Sequence, residues 1–142
     1  MNPSAPTFQW WLSINDARRR IHDLEVEKAG IVRGMDALLF RFASTLSPPW
    51  PVRPVIQRLS QGNVYVRWRL PGRNGQQPYV DLTSEDGRLL LQSLSVDVRR
   101  LLVQFAREVL CLNLAHSKCQ SEWMRLRQFV SDNESLIVMM GR

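Results

Sequence analysis

Lysine, histidine and cysteine are almost missing from this 142-residue chain, with two of each. A structural zinc site takes four ligands. His116 and Cys119, three residues apart on one helical face, offer two, and no second His/Cys pair completes the set. Cys111 and Cys119 are eight residues apart in a helical segment, about 12 Å at 1.5 Å per residue. That is beyond disulfide reach, so two reduced thiols and a cytoplasmic location are expected. No apolar run approaches the roughly 20 residues of a membrane span; Ala37–Phe40 and Leu136–Met140 are the longest. Residues 1–14 have neither a basic start nor an apolar stretch followed by small residues, so no secretory signal is expected. There is no P-loop, no glycine-rich dinucleotide turn and no hydrolase nucleophile motif. Asp16, Asp23, Glu25 and Glu27 fit the solvated face of a helix rather than a pair of catalytic carboxylates. A non-enzymatic protein without metal or cofactor is the expectation.

Acid is missing over one long stretch. Between Asp36 and Asp81 there is no Asp or Glu, while Arg41, Arg53, Arg58, Arg67, Arg69 and Arg73 all fall there. The other thirteen basic residues are matched by thirteen acids, so this stretch holds the whole formal charge of +6. A solvated surface normally interleaves both signs, and a segment without acids projects a positive potential.

With 44% hydrophobic and 23% charged residues, the chain can bury a core, and its length suits one domain. Residues 1–12, with Pro3, Pro6, Phe8, Trp10 and Trp11, read as a flexible leader. A long helix is expected over 13–46, capped by Ser13 or Asn15 with Asp16 in its first turn. Ile14, Ala17, Ile21, Leu24, Lys28, Ile31, Met35, Leu38 and Phe42 recur at alternating spacings of three and four, a heptad seam. In such seams a charged member, here Lys28, sets register or partner number, so the seam is a candidate surface for a homo-oligomer or protein partner. Gly30 and Gly34 each weaken the helix by about 1 kcal/mol relative to Ala but permit close approach of a second helix. Ser47-Pro48-Pro49-Trp50-Pro51 terminates it.

A Pro-rich linker is expected over 47–61, within which Val55–Ser60 fits a short helix or a strand equally well. A β-hairpin follows over 62–83. Val64, Val66, Trp68 and Leu70 alternate with Tyr65, Arg67 and Arg69, which places the two sets on opposite faces. Pro71-Gly72 and Asn74-Gly75 mark a long basic tip before a second strand at Tyr79–Leu82. Ser84 or Thr83 caps a short helix to residue 94, and Ser95 caps a second long helix to about 132. The tail, 133–142, is apolar and β-prone. The fold class is α+β, mostly α: two long antiparallel helices with an inserted basic hairpin and a short helix.

The hairpin carries the chemistry. Arg67 and Arg69 share a strand face at roughly 6–7 Å, close to the spacing of consecutive phosphates. Tyr65 on that face can stack on an unpaired base. Arg53, Arg58 and Arg73 would extend the patch. The competing arrangement pairs these arginines with Glu85, Asp86 or Asp97 of the flanking helices. Trp68 reads as core, and apolar packing suits Trp10, Trp11 and Trp50 better than base stacking. The Arg18-Arg19-Arg20 triplet spreads around its helix and reads as a solvated face.

The strand Val64–Arg69, followed by Glu108, Leu112-Asn113 and His116-Ser117, resembles small uncharacterised proteins carried by bacterial integrative conjugative elements. In those, a helical N-terminal part leads to an apolar-Arg-Trp-Arg strand and then to a Leu-rich helix. The resemblance spans about residues 60–130; the Pro-rich linker and Gly-containing tip depart from it. It implies a mobile-element setting of DNA processing or transfer and brings no catalytic residues. The function expected is nucleic-acid binding through backbone contacts. The alternative is an adaptor or inhibitor subunit docking on a larger nucleoprotein complex.

Overall fold

A computed structural model describes residues 13–72 and 76–141. Helix α1 spans Ile14–Thr45, and the Ser13 side chain caps it by accepting the Asp16 N–H at 3.0 Å. Three strands follow, β1 (Arg53–Arg58), β2 (Val64–Arg69) and β3 (Tyr79–Val80), in one antiparallel sheet of that order. Helix α2 spans Glu85–Gln92 and α3 spans Val96–Met140, capped by Ser84 and Ser95 as the sequence predicts. The class is the expected mostly helical α+β. The leader and the tip residues 73–75 lie outside the described residues. No described helix is long and apolar enough to cross a membrane.

The two long helices run antiparallel, as the contacts along them show. Arg18 meets Glu134, Arg20 meets Glu122, Lys28 meets Gln120, and Arg41 meets Glu108. A Cβ on Gly34 would stand 3.3 Å from Leu112 Cδ2, so this glycine does bring the helices close. The seam of α1 is therefore covered within the chain. Ala17, Leu24, Met35, Leu38 and Phe42 are buried, and Ile14, Ile21, Lys28 and Ile31 are half-buried. This corrects the expectation of an open oligomer seam: the heptad spacing reports a partner helix, and α3 of the same chain is that helix.

Where the helix pair meets the sheet, Phe42 packs edge-on against Phe105 (centroids 5.5 Å) and Trp68 (5.9 Å), with Trp50 tilted at 5.7 Å. Tilted and edge-to-face pairs at these distances are favourable beyond the area they bury. Val64, Val66 and Trp68 form the inner face of β2 on this core.

Two boundaries differ from expectation. The Pro-rich segment shortens to about 47–52 because Arg53–Arg58 pairs with β2. The tight hairpin is thus β1–β2, turned at Leu59–Asn63, where Leu59 N–H donates to Asn63 O and Gly62 takes a φ of 90°. Pro54 is tolerated because β1 is an edge strand. The anticipated β2–β3 pairing exists as well, with Trp68 opposite Val80 and Arg69 opposite Tyr79. The tail is not a strand: α3 continues to Met140, since no Gly or Pro interrupts it before Gly141 and leucine and methionine propagate helix well.

Leu38 is fully buried between the helices, so a charge there should unfold the monomer rather than dissociate an oligomer. Leu38→Asp is expected to cost about 4 kcal/mol or more. Circular dichroism melting with light scattering checks this; a folded variant of reduced molecular mass would contradict it.

Candidate nucleic-acid interface

Because the inner side chains of β2 are buried against the helices, its alternate residues must point away from them. The pairing register extends this rule across the sheet. Arg53 stands opposite Arg69, Val55 opposite Arg67, Gln57 opposite Tyr65, and Arg69 opposite Tyr79. One row across the three strands is therefore Arg53, Arg69 and Tyr79, with Arg67 and Tyr65 following along β2.

Neutral groups hold these arginines. Arg53 donates to Gln77 Oε1 at 2.9 Å and Arg67 to Gln57 Oε1 at 2.9 Å. Arg69 donates to the Tyr79 hydroxyl at 2.7 Å. The guanidinium carbons of Arg67 and Arg69 lie 4.2 and 4.6 Å from the Tyr79 ring centroid, so the ring steadies both cations without neutralising either. Each guanidinium has five N–H donors, and Arg53, Arg67 and Arg69 each spend one on these acceptors. Arg69 Nε is buried without a partner.

The competing arrangement does not form. Ion pairs among the described residues join Arg18 to Glu134, Arg20 to Glu27 and Glu122, Arg41 to Glu108, and Arg88 to Glu85. Arg53, Arg58, Arg67 and Arg69 belong to none of them. Two guanidinium groups, Arg53 and Arg69, face each other across a strand pair with no carboxylate between them, an arrangement that opposes folding.

Not every predicted member joins the face. Arg58 is opposite Val64, an inner-face position, so its place at the end of β1 lies on the helix side of the sheet, and it does not extend the patch. Arg41 sits on α1 and is paired with Glu108 at 3.1 Å. Arg73 lies outside the described residues. Arg53, Tyr65, Arg67 and Arg69 do come together. Gln57, Gln77 and Tyr79 are the members that sequence reasoning missed. Tyr79 opens the second strand, but only the register across the loop reveals that it stacks on two arginines. Trp68 is buried in the core, as expected.

A second polar cluster lies between the helices. Lys28 Nζ donates to Gln120 Oε1 at 2.8 Å and stands 3.9 Å from the Trp123 ring centroid. Gln120 Nε2 donates to the Gln61 carbonyl at 2.9 Å, tying the β1–β2 turn to α3. His116 is buried beside this cluster with Nδ1 unpartnered. Burial, then the positive charges of Lys28 and Arg58, holds its pKa below the usual value. Burial pushes the Cys119 thiol up, away from the reactive thiolate. Among the described residues no group of three or more His, Cys, Asp and Glu stands together to hold a metal. The cluster's bonds join Lys28, a seam residue, to α3 and to the sheet turn, so it fixes the packing of this chain.

Comparison with protein-family models, with curated proteins and with solved structures finds no match for the chain.

The facing arginines imply that Arg53→Gln should leave the fold unharmed or stabilise it by up to about 0.5 kcal/mol, read as the urea midpoint at constant slope. A loss above about 1 kcal/mol would show that the pair is not repulsive.

For His116 the unfolded state takes up a proton first as pH falls, because the folded pKa is lowered from 6.5. Its contribution is therefore complete above about pH 6.5 and declines as pH drops below that value. Thermal melts from pH 7.5 to 5 should show a steeper loss for wild type than for His116→Gln; parallel curves would contradict this.

Proposed function

We propose that this chain is a non-enzymatic nucleic-acid-binding protein that grips the phosphate backbone with the outer face of its sheet. The observation that carries this is that Arg53, Arg67 and Arg69 share one face and, among the described residues, take only neutral partners. Carboxylates pair with Arg18, Arg20, Arg41 and Arg88, while these three, gathered on one sheet face, pair with none among the described residues. Repulsion between like charges disfavours such a face, and a polyanion removes that penalty by taking the place of the missing carboxylates. Backbone contacts of this kind position a ligand without reading its sequence. Tyr65, half-exposed beside Arg67, adds a surface for stacking. A role in mobile-element DNA processing or transfer fits the resemblance of the Val64–Arg69 strand and forms part of the same proposal.

One observation favours a second reading, an adaptor or inhibitor subunit. Val96, Val103, Leu110 and Leu114 are exposed along one side of α3. They run beside a groove of about 1040 Å³ between α1 and α3, lined by Gly34, Ala37, Leu101 and Phe105 among others. Docking on a nucleoprotein complex would use that face while the sheet meets nucleic acid.

A polarisation titration with labelled oligonucleotides tests the proposal. Three phosphate contacts predict that log K falls with log[salt] at a slope of about −2 for single strands to −3 for duplex. Arg67→Ala/Arg69→Ala should reduce the slope to about −1 and weaken binding at least tenfold. A flat salt response, or equal affinity of the two proteins, overturns the proposal and leaves the partner-docking reading.

A further inference from the structure

The third strand is too short to cover the second. β3 ends at Val80, opposite Trp68, because the chain turns away at once. The Asp81 carboxylate accepts the Thr83 N–H at 2.9 Å and its hydroxyl at 2.7 Å, and Ser84 N–H returns to the Asp81 carbonyl at 3.0 Å. Gly87 locks this turn, since a Cβ there would come within 2.3 Å of the Asp81 carbonyl oxygen. The β2 backbone is thus without a strand partner on that side at Val66. Asn113 of α3 fills the gap, its Oδ1 accepting Val66 N–H at 2.8 Å and its Nδ2 donating to Val66 O at 3.0 Å.

Beside this side-chain patch lies a cavity of about 440 Å³. Val66, Val80, Leu82, Ala106 and Val109 line it, and so do the polar residues Tyr65, Arg67, Asp81 and Thr83. Two of those, Tyr65 and Arg67, are members of the basic face, so the cavity adjoins that face.

We infer that this cavity receives one unpaired base of a single-stranded nucleic acid whose backbone lies along Arg67 and Arg69. This rests on the proposed backbone-binding role of the sheet and names its ligand class. The occupant must place a flat apolar body within a few ångströms of a phosphate, which a nucleotide does. A base in a duplex cannot enter without leaving its stack. A peptide strand cannot add to β2 at this edge, because Asn113 already holds both Val66 backbone groups. The lining also states a preference. The Asp81 hydrogen bonds both fall on Oδ1, and a carboxylate accepts from the exocyclic amine of cytosine. Thymine offers its one N–H between two carbonyl oxygens, which a carboxylate repels. A cytosine strand should bind more tightly than a thymine strand.

The test uses fluorescein-labelled 12-nucleotide oligo-dC, oligo-dT and a 12-base-pair duplex, titrated into the full chain. Oligo-dC should bind at least tenfold more tightly than the duplex and about threefold or more over oligo-dT. Asp81 is exposed, so Asp81→Asn should fold normally and erase the dC/dT difference. Ala106→Leu, which narrows the cavity, should lower oligo-dC affinity about tenfold while leaving duplex affinity unchanged. Amide shifts at Val66, Thr83 and the Asn113 side chain on addition of dCMP give a readout that does not depend on a filled-cavity variant. Suppose instead that duplex and single strands bind equally, dCMP moves none of those signals, and Arg67→Ala/Arg69→Ala still weakens both. The cavity inference then fails while the backbone role survives. Failure of every oligonucleotide to bind overturns both.

Discussion

The orientation of the sheet follows from the burial of Val64, Val66 and Trp68 on the helix pair. Trp68 and Phe105 meet Phe42 from two sides, and strand alternation does the rest. A one-residue slip of β2 would bury Arg67 and Arg69 and expose Trp68, at a cost of many kcal/mol in desolvated charge and lost apolar contact. The arginines are consequently held outward by the core beneath them, and the antiparallel register sets Arg53 against Arg69. That repulsion, small beside the core energy, is tolerated by the fold.

Four arginines of the helices are handled differently. Arg18, Arg20, Arg41 and Arg88 all reach a carboxylate. Exposed pairs of this kind add little stability, from nothing to about 1 kcal/mol each. Their larger effect is to cancel potential along the helices. Lacking nearby acids, the sheet keeps its own, with Arg53, Arg67 and Arg69 gathered on one face. Charges grouped in this way attract a polyanion more strongly than the same charges spread singly along a helix.

How far the sequence foretold this varies with the range of the interaction. Helix caps at Ser13, Ser84 and Ser95, the alternation of β2 and the core place of Trp68 depend on neighbours within a few residues, and all could be read. Strand β1 could not: Arg-Pro-Val-Ile-Gln-Arg alternates poorly, and its register against β2 comes from a turn shaped by Gly62 and held by Gln120. Without that register Arg58 reads as an extension of the patch, and Tyr79, Gln57 and Gln77, which reach the arginines only through pairing, give no signal. Asn113 gave no signal, since an asparagine within a helix seldom closes a sheet edge. The seam of α1 was legible as a seam, but spacing alone does not tell a partner in the same chain from one in another. The apolar Leu136–Met140 run reads as β-prone, yet it continues α3, because no helix breaker precedes Gly141.

On the proposed function, nucleic acid lies on the outer face of the sheet. Photo-crosslinking the chain to an oligonucleotide carrying 4-thiothymidine, with the modified residues identified by mass spectrometry, addresses it most directly. Adducts on Tyr65, Arg67 or Tyr79 are the predicted outcome. Adducts confined to the arginines of α3, such as Arg99, Arg100 and Arg107, would place the ligand on the helices and rule the sheet out.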